Sequence, residues 1–224
     1  MHRGRFITLE GGEGVGKSTQ ARLLADHLRA EGREVVVTRE PGGSALAERI
    51  RDLLLDPAMP AHSQLAEALL FNAARADHLD AVIRPALAQG AWVICDRFLD
   101  STRVYQGVVG GLDGAQLDAM DALVVAPTYP DLTVVIDLDP VVGMARAVAR
   151  RGGLGAMPAD RYEAREAEYH QRLRQAFLNV ARAEAWRCVV VDGAQDVEAI
   201  ASEIRGHATA RLIAAGAMSG PGGA

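Results

Sequence analysis

The residues best suited to do chemistry are Gly11-Gly12-Glu13-Gly14-Val15-Gly16-Lys17-Ser18, with Thr19 next in line. A short apolar run, Phe6-Ile7-Thr8-Leu9-Glu10, precedes them, and a helical pattern follows in which Ala21, Leu24, Ala25 and Leu28 share one face. The spacing is G-x-x-x-x-G-K-S, in the strand–loop–helix setting that a phosphate-binding loop requires. Glycines let the backbone curl so that successive N–H groups point inward at a phosphate chain. The following helix adds the positive end of its dipole. Lys17 supplies a mobile point charge for the outer phosphates, and Ser18 a hydroxyl for Mg²⁺. Lys17 is also the only lysine in the chain; the other cationic side chains are all arginines. Lysine stands at the one place where a compact ammonium suits the geometry better than a planar fork.

Four further clusters bear on chemistry. Asp96 ends the run Ala91-Trp92-Val93-Ile94-Cys95 and is followed by Arg97. On a strand beside the phosphate loop, such a carboxylate can hold Mg²⁺, directly or through water, and the arginine can clamp phosphate oxygens. Thr38-Arg39-Glu40-Pro41-Gly42-Gly43 reads as a strand-to-helix loop in which Pro41 restricts Glu40 and the glycines permit a tight path. Phe71 and Arg75 stand at i and i+4 of a helical stretch; by spacing alone they fit a core aromatic and a surface charge as readily as a base-binding pair. The segment Phe98 to Gly107, with Ser101, Thr102, Arg103, Tyr105 and Gln106, is equally compatible with a sugar-and-base pocket and with a polar loop entering a helix.

The elements that must position these residues follow from the apolar pattern. Runs recur at Phe6–Leu9, Val35–Val37, Trp92–Cys95, Leu132–Ile136 and Val189–Val191, separated by helical stretches. This alternation predicts an α/β fold with a parallel sheet covered on both faces, and ligands gathered beyond the carboxyl ends of its strands. Glu10, Arg39, Glu40, Asp96, Arg97, Asp137 and Asp192 stand at those ends. Residues 44–90 read as helical with a break near Asp56-Pro57 or Pro60. Gly152 to Ala159, between Arg150-Arg151 and Asp160-Arg161, reads as a lid or as a solvated loop. In the helix beyond it, Tyr162, Tyr169, Leu173, Phe177 and Val180 read as a core-packing stripe.

The bulk numbers narrow the class. A chain of 224 residues with net charge −5 suits one domain and argues against a general nucleic-acid binder. Cys95 and Cys188 lie in apolar runs without metal-type spacing and read as buried free thiols. A first strand at residue 6 leaves no room for a signal peptide, and no apolar run approaches the roughly 18 residues of a membrane span. A cytoplasmic location is the expectation.

Taken together, these signatures resemble the thymidylate kinase family, of the bacterial type with lid arginines. The resemblance rests on residues 11–18, on Thr38 to Gly43, on Phe71-x-x-x-Arg75, and on Asp96-Arg97-Phe98 with Ser101-Thr102 and Tyr105-Gln106-Gly107. It implies a P-loop nucleoside monophosphate kinase fold with a five-stranded parallel sheet flanked by helices. It also implies a small lid at about 150–163 within one domain spanning 1–214, a flexible tail at 215–224, and a homodimer. The implied reaction is ATP-dependent phosphorylation of dTMP with Mg²⁺. Lys17, Arg97, Arg161 and Glu13 would be catalytic, Gly11 to Thr19 would bind ATP, and Ser18 and Asp96 would hold the metal. Glu40, Pro41, Arg51, Phe71, Arg75, Arg97, Ser101, Thr102, Tyr105 and Gln106 would bind dTMP, with Arg39 a weaker phosphate contact. Within that set Phe71 would stack on thymine, Arg75 would bond O4, and Tyr105 would crowd the ribose 2′ position. The Glu40–Pro41 bond is expected cis by the same resemblance, and Asp192 to Gln195 near the adenine. Position 14, where some members carry an arginine, is Gly14, which shifts that charge to Arg161 with Arg150 and Arg151 beside it. Arg103 and the 152–159 insert depart from the family pattern. The rival readings are a deoxynucleoside kinase and a regulatory P-loop ATPase; a GTPase of the usual kind needs an N-K-x-D motif, which a chain whose sole lysine is Lys17 cannot have.

Overall fold

The computed structural model describes residues 4–153, 162, 163 and 165–213. Five strands, β1 (Phe6–Glu10), β2 (Val35–Arg39), β3 (Trp92–Asp96), β4 (Leu132–Asp137) and β5 (Cys188–Asp192), pair in parallel in the order β2-β3-β1-β4-β5. Every apolar run singled out above is one of these strands. The register sets Asp96 beside both Leu9 and Arg39, Glu10 beside Val135, and Asp137 beside Asp192, so the polar strand ends form one edge.

The two-residue period of the strands divides the core. Ile7, Leu9, Ile94, Val134, Ile136 and Val191 pack with Leu24 and Leu28 of α1 (Lys17–Ala30) and with Ile200 and Ile204 of α9 (Val197–Ala208). Phe6, Val93 and Cys95 face the opposite way, onto Leu79, Ile83, Leu87 and Phe98. Residues 44–90 resolve into α2 (Ala45–Leu55), α3 (Gln64–His78), a π-helical turn (Leu79–Ile83) and α4 (Arg84–Ala88). Ser44 and Ser63 cap α2 and α3, each hydroxyl accepting from the backbone N–H three residues on. The break between these helices falls at Asp56-Pro57 to Pro60, as the prolines require.

After β3 come α5 (Leu99–Thr102) and a wide π-helical turn (Arg103–Val109), then α6 (Gly114–Val124). The π turn carries Tyr105 and Gln106, and nothing in the sequence signals its extra width. Helix α7 (Pro140–Gly153) runs into the segment read as a lid and takes up its first residues, 150–153, and α8 (Ala167–Ala183) follows it. Tyr162 corrects one part of the sequence reading: α8 begins only at Ala167, so Tyr162 lies before the helix and lines the cleft described below, although it still packs against the core cluster of Leu173 and Phe177. Leu173 and Phe177 do pack in the core. Arg161, most of the 152–159 insert and the tail 215–224 lie outside the described residues. No helix among the described residues is long and apolar enough to cross a membrane.

Candidate active site

The phosphate loop is built by close backbone packing. Gly16 is left-handed at φ 99° and starts α1. Gly14, at φ 67°, lies so close to α7 that a Cβ there would fall 1.9 Å from the Gly143 carbonyl oxygen. An arginine at position 14 is therefore excluded by the backbone itself, not merely absent. Val15 contributes only backbone to the loop, because its side chain is core. Lys17 Nζ donates to the carbonyls of Gly12 at 2.6 Å and Gly11 at 3.2 Å. Burial, reinforced by Arg97, lowers Lys17 to about 8 even though Glu13 and Asp96 pull the other way. Ser18 Oγ donates to Asp96 Oδ2 at 2.5 Å, which brings together two hard oxygen donors from β3 and α1.

Arg97 occupies left-handed backbone at φ 69°, a strained choice for a side chain with a Cβ. That turn aims its guanidinium back across the loop, where it donates to Glu13 Oε1 at 2.5 Å, Gly11 O at 3.0 Å and Ser101 Oγ at 3.2 Å. Burial alone would raise Glu13, but Arg97, Lys17 and the Tyr105 hydroxyl at 3.1 Å together bring its carboxyl down to about 2. Beneath this loop Glu10 is fully buried and accepts from the amides of Phe98 and Ser101 and from Ser101 Oγ. Burial and the neighbouring Asp100 nevertheless raise its carboxyl to about 7. Asp100 is itself clamped by both ends of the buried Arg187 guanidinium, at 2.6 and 2.7 Å.

One cleft of about 620 Å³, including its mouth, is lined by Glu40, Pro41, Arg51, Phe71, Arg75, Arg97, Ser101, Thr102, Tyr105 and Gln106. These are all ten residues read as substrate contacts, drawn from five separate segments; Glu13, Leu55, Phe98 and Tyr162 complete the lining. Arg75 is buried and spread over Glu40 Oε2 (2.8 Å), Asn72 Oδ1 (3.3 Å) and Thr102 Oγ1 (3.0 Å). Glu40 follows the Arg39–Asp96 strand pair, next to a cis Glu40–Pro41 bond, and also holds His78 Nδ1 at 3.1 Å. Arg51 donates to Pro41 O.

A second cleft, of about 920 Å³ with its open mouth, runs along Gly14, Gly16, Lys17, Ser18, Thr19, Asp96, Arg39, Arg150 and Glu163. The two clefts share Glu13, Glu40, Arg51 and Arg97. Arg39 lies at its rim in an exposed pair with Glu48. Arg103 lies outside both clefts, bound to Asp121 and Glu184, so its departure from the family pattern does not touch their linings. His78 and Glu67 escaped the sequence reading, and Tyr162 was read only as core; the one available signal was that Glu67 and His78 share a helix face with Phe71 and Arg75, four and three residues away.

A phosphate loop at the carboxyl edge of a parallel sheet in the order 2-3-1-4-5, opening through shared arginines into a second pocket, defines a P-loop nucleoside monophosphate kinase fold. The model of the thymidylate kinase family matches residues 9–204. A thymidylate kinase of Nitrobacter winogradskyi is 51% identical over 202 residues, covering 90% of this chain and 86% of that one. One of Caulobacter vibrioides is 48% identical over 212 residues, covering 95% and 99%. The crystal structure of thymidylate kinase from Ehrlichia chaffeensis superposes with a TM-score of 0.72 at 34% identity, covering 90% of this chain and 97% of that one. The chain belongs to the thymidylate kinase family and is a phosphotransferase.

Proposed function

We infer that this chain phosphorylates dTMP to dTDP at the expense of ATP, and we propose the following division of labour. The observation that carries it is the meeting of the two clefts at Glu13, Arg51 and Arg97, where a phosphate donor and an already phosphorylated acceptor can face one another. The loop amides and Lys17 hold the triphosphate, and Arg51 and Arg97 hold the acceptor phosphate. Ser18 and Asp96 fit Mg²⁺, which accepts few protein oxygens and completes its shell with water and phosphate; when bound it neutralises the charge between the outer phosphates. Phe71 stacks on the base, Arg75 donates to O4, Thr102 and Gln106 line the base edge, and Tyr105 with Glu13 stands beside the sugar.

A phosphate monoester is already a competent nucleophile near neutral pH, so no strong general base is needed. Its oxygen attacks the γ-phosphorus in line, and the work of the protein is positioning and charge neutralisation. Arg161, with Arg150 at the end of α7, supplies the charge that Gly14 cannot, and closure of that segment keeps water out. The Asp192 to Gln195 loop lies against Asp137 through the Gly193 N–H at 2.7 Å and Arg146, which supports its place beside the adenine. Leu65, Leu69, Val108 and Leu123 are exposed apolar side chains on mutually packed helical segments, which supports a homodimer formed through that face.

The test is direct: purified chain with ATP and each nucleoside monophosphate, or thymidine, with diphosphate and monophosphate products separated. Formation of dTDP from dTMP, with no reaction of thymidine, is expected. Folded protein that makes no dTDP refutes the reading, and thymidine turnover favours the nucleoside kinase instead. In Arg161→Ala, turnover falls more than dTMP affinity; the reverse pattern refutes the lid assignment.

A further inference from the structure

Glu67 has no part in the division of labour above, yet it is buried at the back of the base pocket, one helical turn before Phe71. Among the described residues, His62, Gln106 and Tyr162 meet its carboxylate. Gln106 Nε2 donates to Oε1 at 2.7 Å, Tyr162 Oη donates to the same oxygen at 2.9 Å, and His62 Nε2 lies 2.6 Å from Oε2. His62 Nδ1 lies 2.7 Å from the Pro60 carbonyl, which can only accept, so Nδ1 must carry its proton. The proton between Nε2 and Oε2 then belongs either to an imidazolium or to the carboxyl, and in both arrangements Oε1 remains a bare acceptor. A bare acceptor at 2.7 Å fixes the Gln106 amide, because the nitrogen has to face Glu67 and the oxygen has to face away. Gln106 is itself a lining residue of the cleft, so the oxygen turned away from Glu67 is the amide's acceptor on that side.

Arg75, on the same wall, has five N–H donors and spends three of them, on Glu40, Asn72 and Thr102, which leaves one on each terminal nitrogen. The pocket therefore offers a donor beside an acceptor. The edge that matches is a ring carbonyl next to a ring N–H, as in thymine and uracil. Cytosine presents an amino group next to a bare nitrogen, which sets donor against donor and acceptor against acceptor.

We propose that Glu67 is a positioning residue for base selection: by anchoring the Gln106 amide it sets the hydrogen-bond polarity of the pocket and excludes cytosine nucleotides. The proposal rests on the reading of this cleft as the dTMP site.

The measurement is kcat/KM for dTMP and for dCMP, with ATP-dependent thermal stabilisation as the check on folding. In Glu67→Met the amide is free to turn, and the preference for dTMP over dCMP falls about tenfold to a hundredfold, mostly through KM for dTMP. Glu67→Gln keeps the preference, because its carbonyl still receives Gln106 while its amide donates to a neutral His62. Gln106→Met probes the same contact from the other side and stands in if Glu67→Met does not fold; its loss of preference matches that of Glu67→Met. Full preference in folded Glu67→Met or in Gln106→Met overturns the proposal, as does its loss in Glu67→Gln. A wild-type chain that makes dTDP but turns over dCMP equally well overturns the proposal while leaving the kinase reading intact; one that makes no dTDP removes that reading first.

Discussion

Substituting Arg187 by alanine tests how the segment Arg97 to Ser101 is held. The guanidinium is 1% exposed and the Asp100 carboxylate 0%, and they are joined by two bonds of 2.6 and 2.7 Å. Among the described residues, truncation leaves Asp100 with Thr133 Oγ1 at 3.4 Å as its one side-chain donor, a nearly uncompensated buried charge. Breaking such a pair from one side costs about 3–5 kcal/mol, which for a chain of this length lowers Tm by about 6–20 °C. Replacing both partners by apolar residues, Arg187→Met with Asp100→Leu, recovers most of the loss, because no charge is then stranded. Differential scanning calorimetry at pH 7 on the single and double variants gives both numbers. Asp100 sits directly before Ser101, which bonds Glu10 and Arg97, so KM for dTMP in Arg187→Ala rises more than kcat falls. A Tm drop of under about 3 °C, or a double variant no better than the single, refutes the reasoning.

Further outcomes follow from the site. Glu13, ordinarily near 4.5 but held at about 2, stabilises the fold above pH 4.5 and loses that contribution as pH falls toward 2; Glu13→Gln flattens the acid limb of a Tm-versus-pH curve, by at most about 3 kcal/mol. Lys17 at about 8 is partly neutral in mildly alkaline solution, so ATP binding takes up a proton there and weakens as pH rises from 7 to 9.5; calorimetry in two buffers of different ionisation heat measures both effects. Gly14→Arg meets the Gly143 carbonyl and lowers Tm by several degrees while abolishing stabilisation by ATP; a thermal-shift scan with and without ATP checks both. Cys95 and Cys188, both buried with thiols pushed up, resist Ellman's reagent at pH 7.5 in native protein and react fully in guanidinium.

How much was legible depended on whether a local rule or a distant partner fixed the residue. The phosphate loop and five strands were legible because glycine spacing and apolar runs are local demands of the backbone. Phe71 and Arg75 were not, because i, i+4 pairs occur on any amphipathic helix; only the family resemblance singled them out. Tyr162 was misplaced because it precedes Tyr169 by seven residues, which imitates two helical turns, whereas the chain is still extended at Glu166. Arg187–Asp100 and Arg103–Glu184 join residues more than eighty positions apart, and Glu67 draws together groups from three other segments. No spacing rule reports such meetings.

Arg75 is held by the protein's own side chains rather than by anything it recognises, which has a consequence for medicinal chemistry. A template that is already rigid exacts little ordering entropy from whatever docks on it. On the proposed reading of this cleft as the base site, a flat, uncharged heterocycle with a carbonyl beside an N–H, bearing neither sugar nor phosphate, is the starting fragment to test. Growing it from the aromatic ring outward avoids the anionic groups that keep nucleotide mimics from crossing lipid.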